Sequence, residues 1–336
     1  MRKLCFALVS VLFLVGFSSD SFAQLNRKLI KKNNKAISKY RGKKGGFGKK
    51  NVYTGVGFSV NALNYFGDLA PTPSSFSTDI SFTAPSFGLS LFHRFGPRYT
   101  LQVQYLYASL KGSDSESADA GDLDNGIFRN RRNLSFRNRM HELSTVAYFD
   151  LFENQATYIS RVGWTPYAYI GIAAFYHNPQ AQAPTNDLRG NALAEAGQWV
   201  DLQPLKTEGN SYSLIQFAVP FGAGARFRIN EVFDLWADIG FRYTFTDYLD
   251  DVSGNFVDLN TLSTLGQAMA YRTNELAGYP TPGLSIPSEL AGVNVQAGFG
   301  KADDQRGSPK ENDIYMVTSI RLTYILGATF HKAKFR

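Results

Sequence analysis

"IQFAVPFGAGARFRINEVFDLWADIGFRYTFT", residues 215–246, alternates along its whole length. Its first half sets Ile215, Phe217, Val219, Phe221, Ala223, Ala225, Phe227 and Ile229 against Gln216, Pro220, Gly222, Gly224, Arg226 and Arg228. After Asn230-Glu231, the second half sets Phe233, Leu235, Ala237, Ile239, Phe241, Tyr243 and Phe245 against Asp234, Trp236, Asp238, Gly240, Arg242, Thr244 and Thr246. Successive side chains in a strand point to opposite faces, so the pattern predicts a hairpin with its turn at Asn230-Glu231. Apolar rows of this length exceed the roughly 9–11 residues a tilted strand needs to cross hydrocarbon. A row carrying Arg226, Arg228, Asp234, Asp238 and Arg242 cannot be a dry soluble core. The charged row faces a lumen and the apolar row faces lipid.

The same alternation recurs along the chain. It predicts strands over 52–62, 85–95, 99–108, 141–150, 165–177, 213–229, 233–246 and 313–326. The last sets Ile314, Met316, Ile320, Leu322 and Tyr324 against Tyr315, Ser319, Arg321 and Thr323. Connections alternate in length. Gly96-Pro97-Arg98, a modest stretch at 153–162 and Asn230-Glu231 are short, whereas 66–84, 112–131, 178–211 and 249–312 are long. Short periplasmic turns and long outer loops are the signature of an up-and-down membrane barrel. The fold class expected is all-β: an eight-stranded antiparallel up-and-down transmembrane β-barrel with long extracellular loops and both termini periplasmic. A soluble sandwich or lipocalin-like barrel is the competing reading, disfavoured by the charged inner rows. Eight strands enclose a space that side chains fill. Arg226, Arg228 and Arg242 are expected to face Asp234 and Asp238 there, with Arg321 and Glu142 as further members. That describes a plugged barrel, with a narrow solute path as the alternative.

The start of the chain reads as an export signal. Arg2 and Lys3 precede an apolar run from Leu4 to Phe17, and Ser21-Phe22-Ala23 ends it with small residues at −3 and −1. Cys5, the single cysteine, stands at the wrong end of that run for a lipid anchor, and cleavage would leave no thiol for disulfide or metal chemistry. Of the net charge of +7, residues 24–50 supply +11 and the signal +1, which leaves 51–336 at −5. The organisation expected is a signal peptide (1–23), a basic disordered periplasmic leader (24–50), an outer-membrane barrel (51–330) and a short basic tail (331–336). Within the leader, Lys31, Lys32, Arg41, Lys43 and Lys44 are candidate partner contacts. An exported chain has little occasion to meet nucleic acid, so no nucleic-acid partner is expected.

"FTDYLDDVSGNFVD", 245–258, leaves the second strand of the hairpin. Asp247, Asp250, Asp251 and Asp258, with Asp68 beyond the first strand, read as a charged extracellular rim in water, with Asn64 and Tyr65 joining them. Aspartates at this spacing could ligate Ca²⁺, but the glycine and terminal glutamate of an EF-hand loop are misplaced. No metal and no cofactor are expected. The histidines are His93, His141, His177 and His331. His141 and Ser144 are three apart, hence on opposite faces of a strand, and cannot form a dyad. No catalytic residue is expected. Arg137 and Arg139 suit lipopolysaccharide phosphates better than chemistry.

Four segments carry a family likeness: "NALNYFGDLAP" (61–71), "RNRRNLSFRNRMHELS" (129–144), "AVPFGAGARFRI" (218–229) and "FTDYLDDVSGNFVD" (245–258). Together they resemble the PorG-like outer-membrane barrels associated with the type IX protein secretion apparatus. The likeness covers roughly 50–260 and the last strand. It implies a non-catalytic structural or anchoring component of that envelope complex, with outer-membrane lipid, lipopolysaccharide and secretion-complex proteins as partners. The alternatives are an adhesion or passive small-solute barrel, or a barrel enzyme acting on lipid or protein.

Overall fold

The computed structural model of the chain describes residues 47–48, 51–70, 83–118, 126–276, 300, 302–309 and 312–326. The segments read as signal peptide, leader (apart from 47–48) and basic tail, with Lys31, Lys32, Arg41, Lys43 and Lys44, lie outside the described residues.

The described chain builds β1 (Tyr53–Phe66), β2 (Ala84–Arg94), β3 (Tyr99–Ser113), β4 (Ser135–Asp150), β5 (Trp164–Gln182), β6 (Trp199–Asp201), β7 (Ile215–Arg228), β8 (Phe233–Thr244) and β9 (Ile314–Leu326). Eight of these pair antiparallel with their neighbours, and β1 pairs with β9 to close the ring. The three-residue β6 is an addition outside the ring, paired only with Gln180–Gln182 of β5. The structure is therefore a closed eight-stranded antiparallel transmembrane β-barrel. Closure leaves no strand edge unpaired, which hydrocarbon requires.

The hairpin reading holds along the two rows up to the turn end. Ile215, Phe217, Phe221, Phe227, Ile239, Tyr243 and Phe245 are exposed on the outer wall, while Arg226, Asp234, Trp236, Asp238 and Arg242 are buried inside. Tight turns join the strands at one end. The Asn230 carboxamide oxygen accepts the Val232 and Phe233 N–H groups at 2.9 and 2.8 Å and fixes the β7–β8 turn. Between β5 and β7 the ladder skips 171–172 opposite 219–220, where Pro220 has no N–H to give.

Several strands run further toward the loop end than the sequence pattern predicts: β1 to Phe66, β3 to Ser113, β4 from Ser135 and β5 to Gln182. The alternation persists there, but its polarity inverts. On β3 the outer row changes from Leu101, Val103, Tyr105 and Tyr107 to Ser109 and Lys111, while the inner row changes from Gln102 and Gln104 to Leu106 and Leu110. On β4 the outer row passes from Leu143 to Arg139 and Arg137, and the inner row from Glu142 to Met140 and Phe136. The barrel is thus apolar outside where lipid surrounds it, and apolar inside where water does. Leu63, Leu106, Leu110, Phe136, Met140, Phe175 and Val317 form that inner apolar layer.

Loop segments pack above it, including α1 (Asp114–Ser117), α2 (Gly126–Arg132) and α3 (Thr264–Ala270). Among the described residues no helix is long and apolar enough to cross a membrane.

Candidate functional site

The lumen is bridged at successive levels. Nearest the short turns, Asp150 of β4 accepts from Arg94 Nη1 of β2 and Arg226 Nη2 of β7, both at 2.6 Å. Beside it, Arg161 from the β4–β5 connection donates to both oxygens of Asp234 at 2.6–3.1 Å. The next level centres on fully buried Trp236. Its ring meets Tyr148 edge-on at 5.3 Å and Phe92 at 5.8 Å, with the Arg226 and Arg321 guanidinium groups 4.9 and 5.5 Å from its centre. Arg321 reaches from β9 to Gln102 of β3 at 2.6 Å and to Tyr148 of β4 at 3.2 Å, and pairs with Asp238 at 3.5 Å. Tyr167 and Tyr169 donate to the two Asp238 oxygens at 2.8 and 3.3 Å. Above them Glu142 accepts from Tyr315 at 2.7 Å and lies 3.7 Å from Arg242. A buried charge without a partner costs several kcal/mol, so the two signs inside must interlock. Bonds between walls that are not neighbours leave the interior filled.

These partners differ from those expected in three respects. Arg226 meets Asp150, and Asp234 meets Arg161, while Arg242 pairs with Glu142, the further member expected. Arg228 has no aspartate partner: it donates to the backbone oxygens of Ile159, Arg161 and Asn230 at 2.7–3.2 Å, at the turn end where the strand leaves the lumen. Arg94, Asp150 and Arg161 are the network members that the sequence reading misses. Extending the β2 row of Phe87, Leu89 and Leu91 by parity would have placed Arg94 inside. Arg161 stands in a connection, where parity gives no signal. Glycines make room for buried aromatics: a Cβ on Gly240 would lie 1.9 Å from the Tyr169 hydroxyl, and one on Gly55 2.3 Å from the Phe92 ring.

The aspartate rim requires correction. Asp250 and Asp251 are 1% exposed and lie inside the cap, not in water. Loop segments fold over the mouth and enclose them. Asp250 Oδ2 and Asp313 Oδ1 each lie 2.7 Å from the Tyr65 hydroxyl. A phenol carries a single hydrogen, so two ionised carboxylates cannot both be satisfied, and the trio favours holding one further proton. Burial raises both acids well above the ordinary carboxylate range, helped by the negative charge of Asp68 beside Asp250 and of Asp250 beside Asp313. Asp251 accepts from Thr207 and from Tyr212 at 2.6 Å, and burial pushes it up to about 6. Asp68 accepts from Ser308 N at 2.9 Å. Asp258 caps a short turn by accepting from Asn260 N at 2.9 Å, and Asp247 is half-buried. Tyr65 and Asp68 do join this region, as the sequence suggests, whereas the Asn64 amide donates to the Thr83 hydroxyl at 2.9 Å.

The cap has a second ionic centre. Asp114 accepts from Arg132 Nε and Nη2 at 2.8 Å, from Arg129 at 3.3 Å and from Leu134 N at 3.1 Å. Arg306 pairs with Glu208 at 2.8 Å, and Glu208 also accepts from Ser253 and Gly254 N–H groups. The acids of the cap are thus spent on loop backbone, hydroxyls and arginines. Among the described residues no three His, Cys, Asp or Glu side chains are arranged to hold a metal ion.

The imidazoles are also placed. His93 meets Thr54 at 2.8 Å and His141 meets Tyr105 at 2.7 Å, both pairs on the outer wall. His177 is buried between Asn138 and the Ser213 carbonyl. Ser144 points inward, away from His141.

Solved structures with a similar course include the attachment invasion locus protein Ail of Yersinia pestis in complex with the heparin analogue sucrose octasulfate (7% identity, 82% of this chain and 99% of that chain, TM-score 0.34). Neisserial surface protein A is similar at 10% identity over 81% of this chain and 96% of that chain, TM-score 0.35. A major outer membrane protein from Thermus thermophilus is similar at 12% identity over 81% and 99%, TM-score 0.36. The eight-stranded assignment rests on the pairing of this chain's own strands. No curated protein matches the sequence. A family model does match residues 49–267, which span β1 to the loop beyond β8, and the chain belongs to that family, described as Domain of unknown function (DUF6089).

Proposed function

We propose that this chain is a non-catalytic barrel of the bacterial outer membrane that anchors a protein-secretion assembly, the type IX apparatus with which PorG-like barrels are associated. The observation that carries the reading is the bridged lumen. A barrel whose lumen is crossed by Tyr315–Glu142 and Arg321–Gln102 is built to hold its walls together rather than to pass solutes, so its work lies at its ends and on its outer wall. The hydroxyl–imidazole pairs of the outer wall face lipid rather than a cleft, which supports a non-enzymatic role. The loop end faces the exterior and the short turns the periplasm, in keeping with the loop-length asymmetry of such barrels. The leader, with eleven Lys/Arg and no acid in 24–50, would then meet a periplasmic partner of opposite charge.

Deleting 27–50 while leaving 1–26 intact tests the anchoring role. Cargo secretion should fall, and periplasmic partners should no longer co-purify with the inserted barrel. Unchanged secretion and unchanged partners would remove the role and leave the leader as a solubilising segment.

A further inference from the structure

The outer wall carries one group of cations that the barrel itself does not neutralise. Lys111 of β3 stands directly opposite Arg137 of β4, and Arg139 lies one outward position along from Arg137. All three project outward just beyond the point where the outer rows of β3 and β4 change from apolar to polar. The buried arginines of the lumen and cap have carboxylates at 2.6–3.8 Å. None of these three has a carboxylate at ion-pair distance among the described residues. Like charges directly opposite each other on neighbouring strands repel, so this arrangement asks for an anion from outside the chain.

The surroundings narrow the kind of anion. The Arg137 guanidinium carbon sits over Trp199, 3.6 Å from the ring centre, and the group donates to Gln180 Oε1 at 2.9 Å. The guanidinium is therefore held in place through Nε and Nη2, which leaves the Nη1 side to meet the oxygens of an anion. Asn178 and Ser109, the outward partners of Arg139 on either side, are amide- and hydroxyl-bearing groups suited to a sugar. Below the cations, Tyr105, Tyr107 and Tyr176 surround His141, with ring centres 5.2–6.4 Å from the imidazole. Such an aromatic cluster marks the membrane–water boundary. Asp201 is the acid on this side of the wall, and its Oδ1 accepts from Asn178 and Gln180 at 2.9 and 2.6 Å.

We propose that Lys111, Arg137 and Arg139 form a binding site for the phosphate groups of lipopolysaccharide, seated on the outer wall at the height of the lipid headgroups. The site rests on the reading above that the loop end faces the cell exterior, where a phosphorylated glycolipid supplies phosphate and sugar together at that height. Acyl chains would lie along Leu101, Val103 and Leu143 below.

The test uses the full mature protein in detergent, titrated with purified bisphosphorylated lipid A. The triple variant K111Q/R137Q/R139Q should bind about tenfold more weakly or worse, since charge-assisted contacts to phosphate are lost. Enzymatically dephosphorylated lipid A should bind the unaltered protein as weakly as it binds the variant, and added salt should weaken only the unaltered pair. All three side chains point away from the interior, so the variant should keep the heat-resistant mobility of the folded barrel. A variant that fails this check is replaced by R139Q alone, for which a smaller loss in the same direction is expected. Equal lipid A affinity in the folded variant overturns the site. Equal competition by phosphatidylglycerol overturns lipopolysaccharide as the ligand in favour of any anionic lipid. Labelling of single cysteines on intact cells reads the orientation separately. A loop end found in the periplasm overturns that reading and this ligand with it, whereas loss of the anchoring role alone leaves the site standing.

Discussion

Tyr315 of β9 donates its hydroxyl hydrogen to Glu142 of β4 at 2.7 Å. In the closed ring β9 and β4 stand four strands apart, on opposite walls, so one hydrogen bond spans the barrel. Arg242 lies 3.7 Å from the same carboxylate oxygen. Side chains from opposite walls are thus joined inside the barrel, and its stability depends on the partners across the lumen.

Removing a shared partner should be costly. Asp150→Ala leaves Arg94 and Arg226 both without their carboxylate in a buried setting. A loss of about 3–5 kcal/mol is expected, against under about 1.5 kcal/mol for the outer-wall change Phe241→Leu. Urea unfolding in lipid vesicles measures both. Equal midpoints would mean that the ion pairs contribute nothing beyond packing.

Glu142 and Arg242 give a sharper case. Arg242→Leu should destabilise by a few kcal/mol because Glu142 stays buried with Tyr315 as its remaining partner. The double change with Glu142→Gln should recover part of that loss. A double variant no better than Arg242→Leu would show that the cost is lost volume rather than stranded charge.

Gly240 faces the Tyr169 hydroxyl so closely that a Cβ would stand 1.9 Å from it. Gly240→Ala should therefore cost about 1–3 kcal/mol. Adding Tyr169→Phe removes the offending oxygen and should return part of the stability, although the ring carbon at 2.8 Å remains close. Failure of the second change to help would place the clash in the backbone instead.

The cap should be firmer in mild acid. Burial raises Asp251 to about 6 and holds Asp250 and Asp313 well above the usual carboxylate range. Folding therefore takes up protons. The stability contribution is fully present below the unfolded-state pKa of about 4 and is lost as pH rises through the folded-state value, about 6 for Asp251. Hydrogen exchange at the Ser253 and Gly254 amides should be slower relative to its intrinsic rate at pH 5 than at pH 8. Asp251→Asn should reduce that difference. A cap equally protected at both values would show that these acids remain ionised.

Topology can be read with single cysteines, because Cys5 is the sole natural one. An impermeant maleimide on intact cells should label Ala196→Cys in the exposed segment between β5 and β6, and should spare Glu231→Cys in the β7–β8 turn. The reverse pattern would invert the barrel.

The alternation of 215–246 was enough to determine the hairpin, the facing of its residues and the barrel class, because a period of two with one apolar row has few other outlets at that length. Alternating loop lengths then supplied the strand count. The sequence could not say where the strands end. The period continues past Tyr107 and Leu143 while the apolar row switches sides, since the solvent outside changes from lipid to water. A pattern read as "apolar means lipid" stops at that point. Nor could parity identify partners. Arg242 and Glu142 lie 100 positions apart on strands that are not neighbours, and only ring closure brings them together. The aspartates of 245–258 show the same limit most plainly. Their composition fits an exposed rim, yet Asp250 and Asp251 are enclosed because Tyr65, Thr207 and Tyr212 arrive from distant parts of the chain to bond them, with Asp313 on the same Tyr65 hydroxyl. Local sequence fixes which way a side chain points, and tertiary structure decides what it meets there.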